Sequence, residues 1–140
     1  MVVKTRLDVV VKLREREEDT AAQKMARAEA EVRVAQQRVE AARARAMADH
    51  RQKNDAAEWE MQELAQRRAV TDQKAAQKDL VASQRTAVQV RVLYTRAHQQ
   101  AEVVRRVADS RREELVREEA RIETKQLDEI ASMLFVRKAG

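Results

Sequence analysis

The sequence predicts an all-α protein: an elongated, antiparallel two-helix coiled-coil hairpin whose second helix is longer than the first. Three observations carry that prediction. The 140 residues include 1 Gly and no Pro, so the chain lacks the turn residues that sandwiches and α/β folds require. It is rich in helix formers, with 25 Ala, 21 Arg and 8 Lys, and such composition marks long helices and coiled coils. Its apolar residues recur at the 3.5-residue period that holds one stripe of a helix against a partner. Disorder is the competing reading of a chain that is 38% charged, but 44% is hydrophobic and the apolar positions are periodic rather than scattered.

Helix one is expected from about residue 7 to about residue 53. Its seam is Met25, Ala28, Val32, Ala35, Val39, Ala42 and Ala46, and going backwards Ala21, Leu13 and Val10 lie near the same stripe. Arg, Glu and Gln fill the intervening positions. Helix two is expected from about 58 to about 135. Its seam runs Ala76, Leu80, Ser83, Ala87, Val90, Tyr94, Ala97, Ala101, Val104, Ala108, Arg111, Leu115, Glu118 and Ile122, with the two charged members marking a seam that degrades toward its end. The apolar set then shifts phase by one residue to Leu127, Ile130 and Leu134, a change that alters local winding. Together these make a single hairpin over residues 1–140.

Without Gly or Pro, the break must come from residues whose side chains compete for backbone hydrogen bonds. The preferred turn is 54–58, where Asp55 and Glu58 have capping-box spacing. Val70-Thr71-Asp72 is a rival, and one unbroken helix pairing with another molecule is a third possibility. A turn near 55 sets residue i opposite roughly residue 110 − i. Ala35 then meets Ala76, and helix one runs out near residue 103 of its partner. About 30 residues of helix two would protrude, on a helix roughly 115 Å long. The seam is made of small residues, so stability leans on helix propensity and on surface pairs such as Glu113 with Arg117.

Chemistry is sparse. There is no Cys, hence no disulfide or thiolate metal site. His50 and His98 have no partner at metal or triad spacing, and Ser83 reads as a packing residue. A phosphate-cradling loop is excluded by a single glycine, at position 140. Pockets lined by aromatic residues are equally out of reach with three aromatics, Trp59, Tyr94 and Phe135. No catalytic residue, cofactor, metal or small-molecule substrate is expected, and the chain is not read as an enzyme. No run of 18 apolar residues is present, and the charged start does not read as a secretory signal.

Charge is uneven. Segments 38–53, 67–78 and 85–106 carry net +3, +3 and +4, whereas 109–129 carries net −3. A basic rod could bind nucleic acid non-specifically at low salt. Stacking aromatics and a recognition fold are both missing, so that reading is disfavoured. Trp59, Met61 and Leu64 form the sizeable apolar group near the expected turn, either as a plug for the bend or as a docking site, since Trp is enriched at interface centres. Leu127, Ile130 and Leu134 stand at i, i+3 and i+7 on the expected lone helix, with Phe135 beside them. Such a stripe calls for a groove or ring to enter, or for self-association.

Residues 7–27, LDVVVKLREREEDTAAQKMAR, resemble the opening of the FliJ family of flagellar export proteins: spaced Leu or Val, an Arg/Glu run, then Asp and Ala. Residues 96–131 resemble its closing segment, with RAHQQAEVV followed by an Arg/Glu-rich helix and KQLDEIA at 125–131. The resemblance implies a stalk-like accessory protein of type III export, with injectisome counterparts of the YscO type. Such proteins sit in the hexameric export ATPase, promote its assembly and activity, contact the export gate protein and bind export chaperones. It implies a cytoplasmic protein peripherally associated with the inner-membrane export apparatus, and one monomeric on its own. On that reading Leu127, Ile130 and Leu134 enter the ATPase ring, and Asp128 and Glu129 meet basic groups of its lining. Trp59, Met61 and Leu64 are the candidates for the gate or chaperones. The competing readings are a self-associating coiled-coil scaffold and the basic nucleic-acid-binding rod.

Overall fold

The computed structural model describes residues 4–48 and 55–139. Two helices account for nearly all of them: α1, Leu7–Met47, and α2, Ala56–Ala139. They pack against one another antiparallel as a hairpin, with α2 about twice the length of α1.

Each helix has a start that its sequence dictates. The Thr5 backbone N–H donates to Asp8 Oδ2 at 2.9 Å, and the Thr5 hydroxyl donates to Asp8 Oδ1 at 3.2 Å. This is the reach-back half of a capping box with Asp in place of Glu, and it satisfies a donor the first turn would leave orphaned. At the start of α2, Asp55 accepts the Glu58 N–H at 2.9 Å, the N-cap contact its spacing predicted. Thr71, a member of the rival break, donates its hydroxyl to the Arg67 carbonyl at 3.0 Å. Val70, Thr71 and Asp72 therefore continue α2 instead of ending it.

The cores follow the periodic seams. Ala28, Ala35, Val39 and Ala42 are the buried residues of α1, and Ala101 and Ala108 those of α2. Met25, Val32 and Ala46 are half-buried between them, and so are Ala76, Leu80, Ser83, Ala87, Val90, Tyr94, Ala97, Val104 and Leu115 on α2. Where the α2 seam was expected to pass through Arg111, the half-buried residue is Arg112, drawn in by Asp8. Toward the start of α1 the stripe passes through Ala21, Glu18, Arg14, Val11 and Leu7. Leu13, 53% exposed, and Val10, 38% exposed, lie off it.

Two compact units are distinguishable: Met1–Glu18 with Ala97–Gly140, and Asp19–Arg96. Within Asp19–Arg96, Arg91 reaches Glu29 at 3.4 Å, and Gln66 caps the end of α1 by donating to the Ala46 carbonyl at 2.7 Å. Ala35 shares a shallow hollow with Ala82 and Ser83, and Arg38 shares it with Asp79. Ala35 thus lies one heptad beyond the expected Ala76. Helix one was expected to reach about 53, but α1 ends at Met47, and α2 begins at Ala56, ten residues before the Gln66 that caps α1. With the helix ends placed so, the offset between α1 and α2 moves by seven residues, while the seam positions from Met25 to Ala46 and from Ala76 to Ala108 are kept. Asn54, the first residue of the expected 54–58 turn, lies outside the described residues, and Ala56, Ala57 and Glu58 are helical.

Within the other unit, Arg112 reaches Asp8 at 2.9 Å and Arg105 reaches Glu15 at 3.2 Å. The start of α1 therefore meets α2 near residue 112 and not 103, and the bare part of α2 is shorter than expected. It is still long: every residue from Val116 to Ala139 is exposed. Glu113 and Arg117 pair at 3.9 Å there, as their spacing predicted.

Candidate partner-binding surfaces

The bare end of α2 presents large apolar side chains to solvent: Leu127 at 66%, Ile130 at 54%, Leu134 at 55% and Phe135 at 74% exposed. At roughly 100° per residue, Leu127, Ile130 and Leu134 fall within roughly 60° of one another and make one stripe. The structure does not bring Asp128 and Glu129 onto it. Asp128 stands roughly 100° and Glu129 roughly 200° around the helix from Leu127, so acidic groups occupy the side and back of the stripe. Met133 and Val136, 70% and 68% exposed, were not singled out from the sequence. With Phe135 they extend apolar surface around most of the helix in its last turns, and Ile130, Met133, Leu134 and Val136 border one shallow hollow. Their signal was the unbroken run Met133-Leu-Phe-Val136, too short to show a period. Arg137 and Lys138 follow in the last turn, where positive charge complements the helix dipole.

The second group sits where α2 starts before α1 covers it. Trp59, Met61 and Leu64 are 61%, 71% and 64% exposed. They do not form one cluster. Met61 and Leu64 are neighbours one turn apart, whereas Trp59 stands roughly 140° to 160° away.

The strongest electrostatics lie elsewhere, in the unit built from the start of α1. Glu18 accepts from Arg105 at 2.8 Å and lies 2.8 Å from His98 Nδ1. Arg105 also holds Glu15 and, at 2.9 Å, Glu102. The contact with His98, then that with Arg105, keeps the Glu18 carboxyl below its ordinary range. Asp8 is lowered first by the Thr5 N–H and then by Arg112. Contacts to Glu15 and then Glu18 push the Arg105 guanidinium further up. These pairs join the two helices. Among the described residues no cluster of His, Asp or Glu could hold a metal ion, and no helix is long and apolar enough to cross a membrane.

Comparison with known proteins adds one finding. The family model described as "Flagellar FliJ protein" matches residues 3–140, essentially the whole chain. Searches of curated proteins and of solved structures returned no match. A match of that extent, on a two-helix hairpin whose end segments carry the family's patterns, places the chain in the FliJ family, whose members are accessory components of the flagellar protein export apparatus.

Proposed function

We propose that the chain is a stalk for the hexameric export ATPase: it binds the ring through the bare end of α2 and promotes its assembly and activity. The observation that supports this most is the continuous exposure of residues 116–139 within α2. Leu127, Ile130 and Leu134 form the stripe that enters the ring, and Asp128 and Glu129, beside and behind it, meet basic groups of the lining. An unpaired helix with an exposed apolar stripe gains free energy by entering an apolar or small-residue bore.

A single stalk inside a six-fold ring touches its subunits unequally. Each subunit's conformational equilibrium, and so its nucleotide affinity, then depends on its own contact. The chain needs no catalytic group or cofactor for this and is not an enzyme. Trp59, Met61 and Leu64, at the opposite end of α2, serve the export gate and the export chaperones. The protein works in the cytoplasm, peripherally associated with the inner-membrane export apparatus, and is monomeric by itself.

Replacing Leu127 and Ile130 together with Ser tests this. Both residues are exposed, so melting should move by less than about 0.5 kcal/mol of stability. Stimulation of ATP hydrolysis and of ring assembly should be lost. Full stimulation by the double variant would overturn the assignment of this end. A concentration-dependent assembly of the native chain, abolished by the same two substitutions, would favour the scaffold instead.

A further inference from the structure

The start of α1 is attached to α2 in a different way from the rest of α1. Residues 7–18 contain no buried residue, whereas 28–42 contain four. At Arg14 and Glu18 the seam itself is charged, and Arg14 Nε is shut off from solvent without a hydrogen bond. Polar contacts join this segment to α2: the ion pairs of Asp8 with Arg112 and of Glu15 and Glu18 with Arg105, the contact of Glu18 with His98, and a hydrogen bond from Arg14 to Gln100 at 3.4 Å. Beneath it lie the small residues Ala101 and Ala108, 0% and 2% exposed, with Leu7 and Val11 of the segment and Val104 and Leu115 of α2 only half-buried around them. The segment is also prepared to remain helical when lifted, because Thr5 and Asp8 cap it from within.

We propose that residues 7–18 are a releasable strap over residues 97–115 of α2, held by ion pairs and hydrogen bonds over a seam of small residues, and that releasing it lengthens the bare face of α2 available to the ATPase ring. This rests on the stalk reading above. With the strap lifted, Ala97, Ala101, Val104, Ala108 and Leu115 continue the bare helix backward from Val116, and Arg105 and Arg112 lose Glu15, Glu18 and Asp8 while keeping Glu102 and Asp109 on their own helix. The uncovered face is rich in alanine, which suits close approach by a ring subunit. Partly exposed ion pairs are individually weak and screened by salt, so the strap can be released at modest cost.

Two measurements on the full chain test it. Hydrogen exchange of amides 7–18 should speed up about tenfold between about 0.05 M and about 0.5 M salt, while amides 28–42 change little. Glu18→Lys should speed the same amides at low salt, and Glu18→Lys with Arg105→Glu should slow them again. A lock is then made by Asp8→Cys with Arg112→Cys joined by a reducible bis-maleimide, which spans the length of the native Asp–Arg pair. The bridged protein should stimulate the ATPase at least about threefold less than the same protein reduced.

Amides 7–18 protected as strongly as 28–42 at every salt concentration would overturn the strap. Equal stimulation by the locked and reduced forms would overturn its use in binding. Failure of the stalk reading is separately visible, because the Leu127 and Ile130 double variant would then stimulate fully while the exchange result stands.

Discussion

The covered and the bare stretches of α2 draw on different apolar residues. Under α1 the fully buried positions are Ala101 and Ala108, and the half-buried ones mix Ala76, Ala87 and Ala97 with Leu80, Val90, Tyr94, Val104 and Leu115. Beyond Val116, where nothing covers the helix, the apolar residues are Leu127, Ile130, Met133, Leu134, Phe135 and Val136. Folding alone would call for the reverse, since a large side chain gains most from burial. Small residues in the seam let two backbones approach closely and leave helix propensity to carry much of the stability. The bare end gathers six large apolar side chains that this seam leaves uncovered, which is why it is the binding site to test first.

The largest effect that could break this contrast is a charge in the seam. Ala42 is 2% exposed, and Ala42→Asp should lower stability by more than about 2 kcal/mol, because the carboxylate has no partner there. Circular dichroism melting reads it directly. A loss below that of an exposed substitution would mean the seam contributes little. Asp55→Ala removes the cap of α2 and should lower stability by about 1 kcal/mol, seen as a lower urea midpoint with an unchanged slope.

A smaller effect follows from pH. Asp8 and Glu18 both have lowered carboxyl pKa values in the folded chain. The unfolded chain therefore binds more protons at acid pH, and the stability these groups contribute is present above the ordinary carboxylate range near about 4 and is lost as pH falls from there through the lower folded-state values. Exchange of amides 7–18 should accelerate on going from about pH 6 to about pH 3.5 relative to 28–42, after correction for the intrinsic rate. Equal changes in both segments would place the acid sensitivity elsewhere.

Most of the fold was legible because heptad periodicity states which face of a helix is covered. It located the α2 seam from Ala76 to Ala108 and the α1 seam from Met25 to Ala46 residue by residue. Periodicity cannot state the offset between two helices, because a slip of seven residues restores the same pattern. Ala35 therefore opposes Ser83 and Ala82 where Ala76 was expected. A cysteine pair at 35 and 83 should cross-link within one molecule, and a pair at 35 and 76 should not.

The strap was hidden for a related reason. Val10 and Leu13 are apolar and drew the stripe toward themselves, while the true seam positions Arg14 and Glu18 are charged and readable only once His98 and Arg105 stand opposite them. Thr5 with Asp8 was a capping box in plain view, obscured by Asp standing where Glu is usual. The exposed residues of the bare end were legible as apolar, but that they face no helix of this chain depended on where α1 stops covering α2.

The most direct test of the stalk reading is contact. A photo-reactive residue placed at Ile130, or separately at Trp59, is irradiated in the presence of the cognate ATPase and nucleotide. The account predicts adducts between position 130 and the ATPase, appearing only under conditions where the ring assembles, and none from position 59. Adducts from 59 with none from 130 would contradict it and turn the stalk end for end.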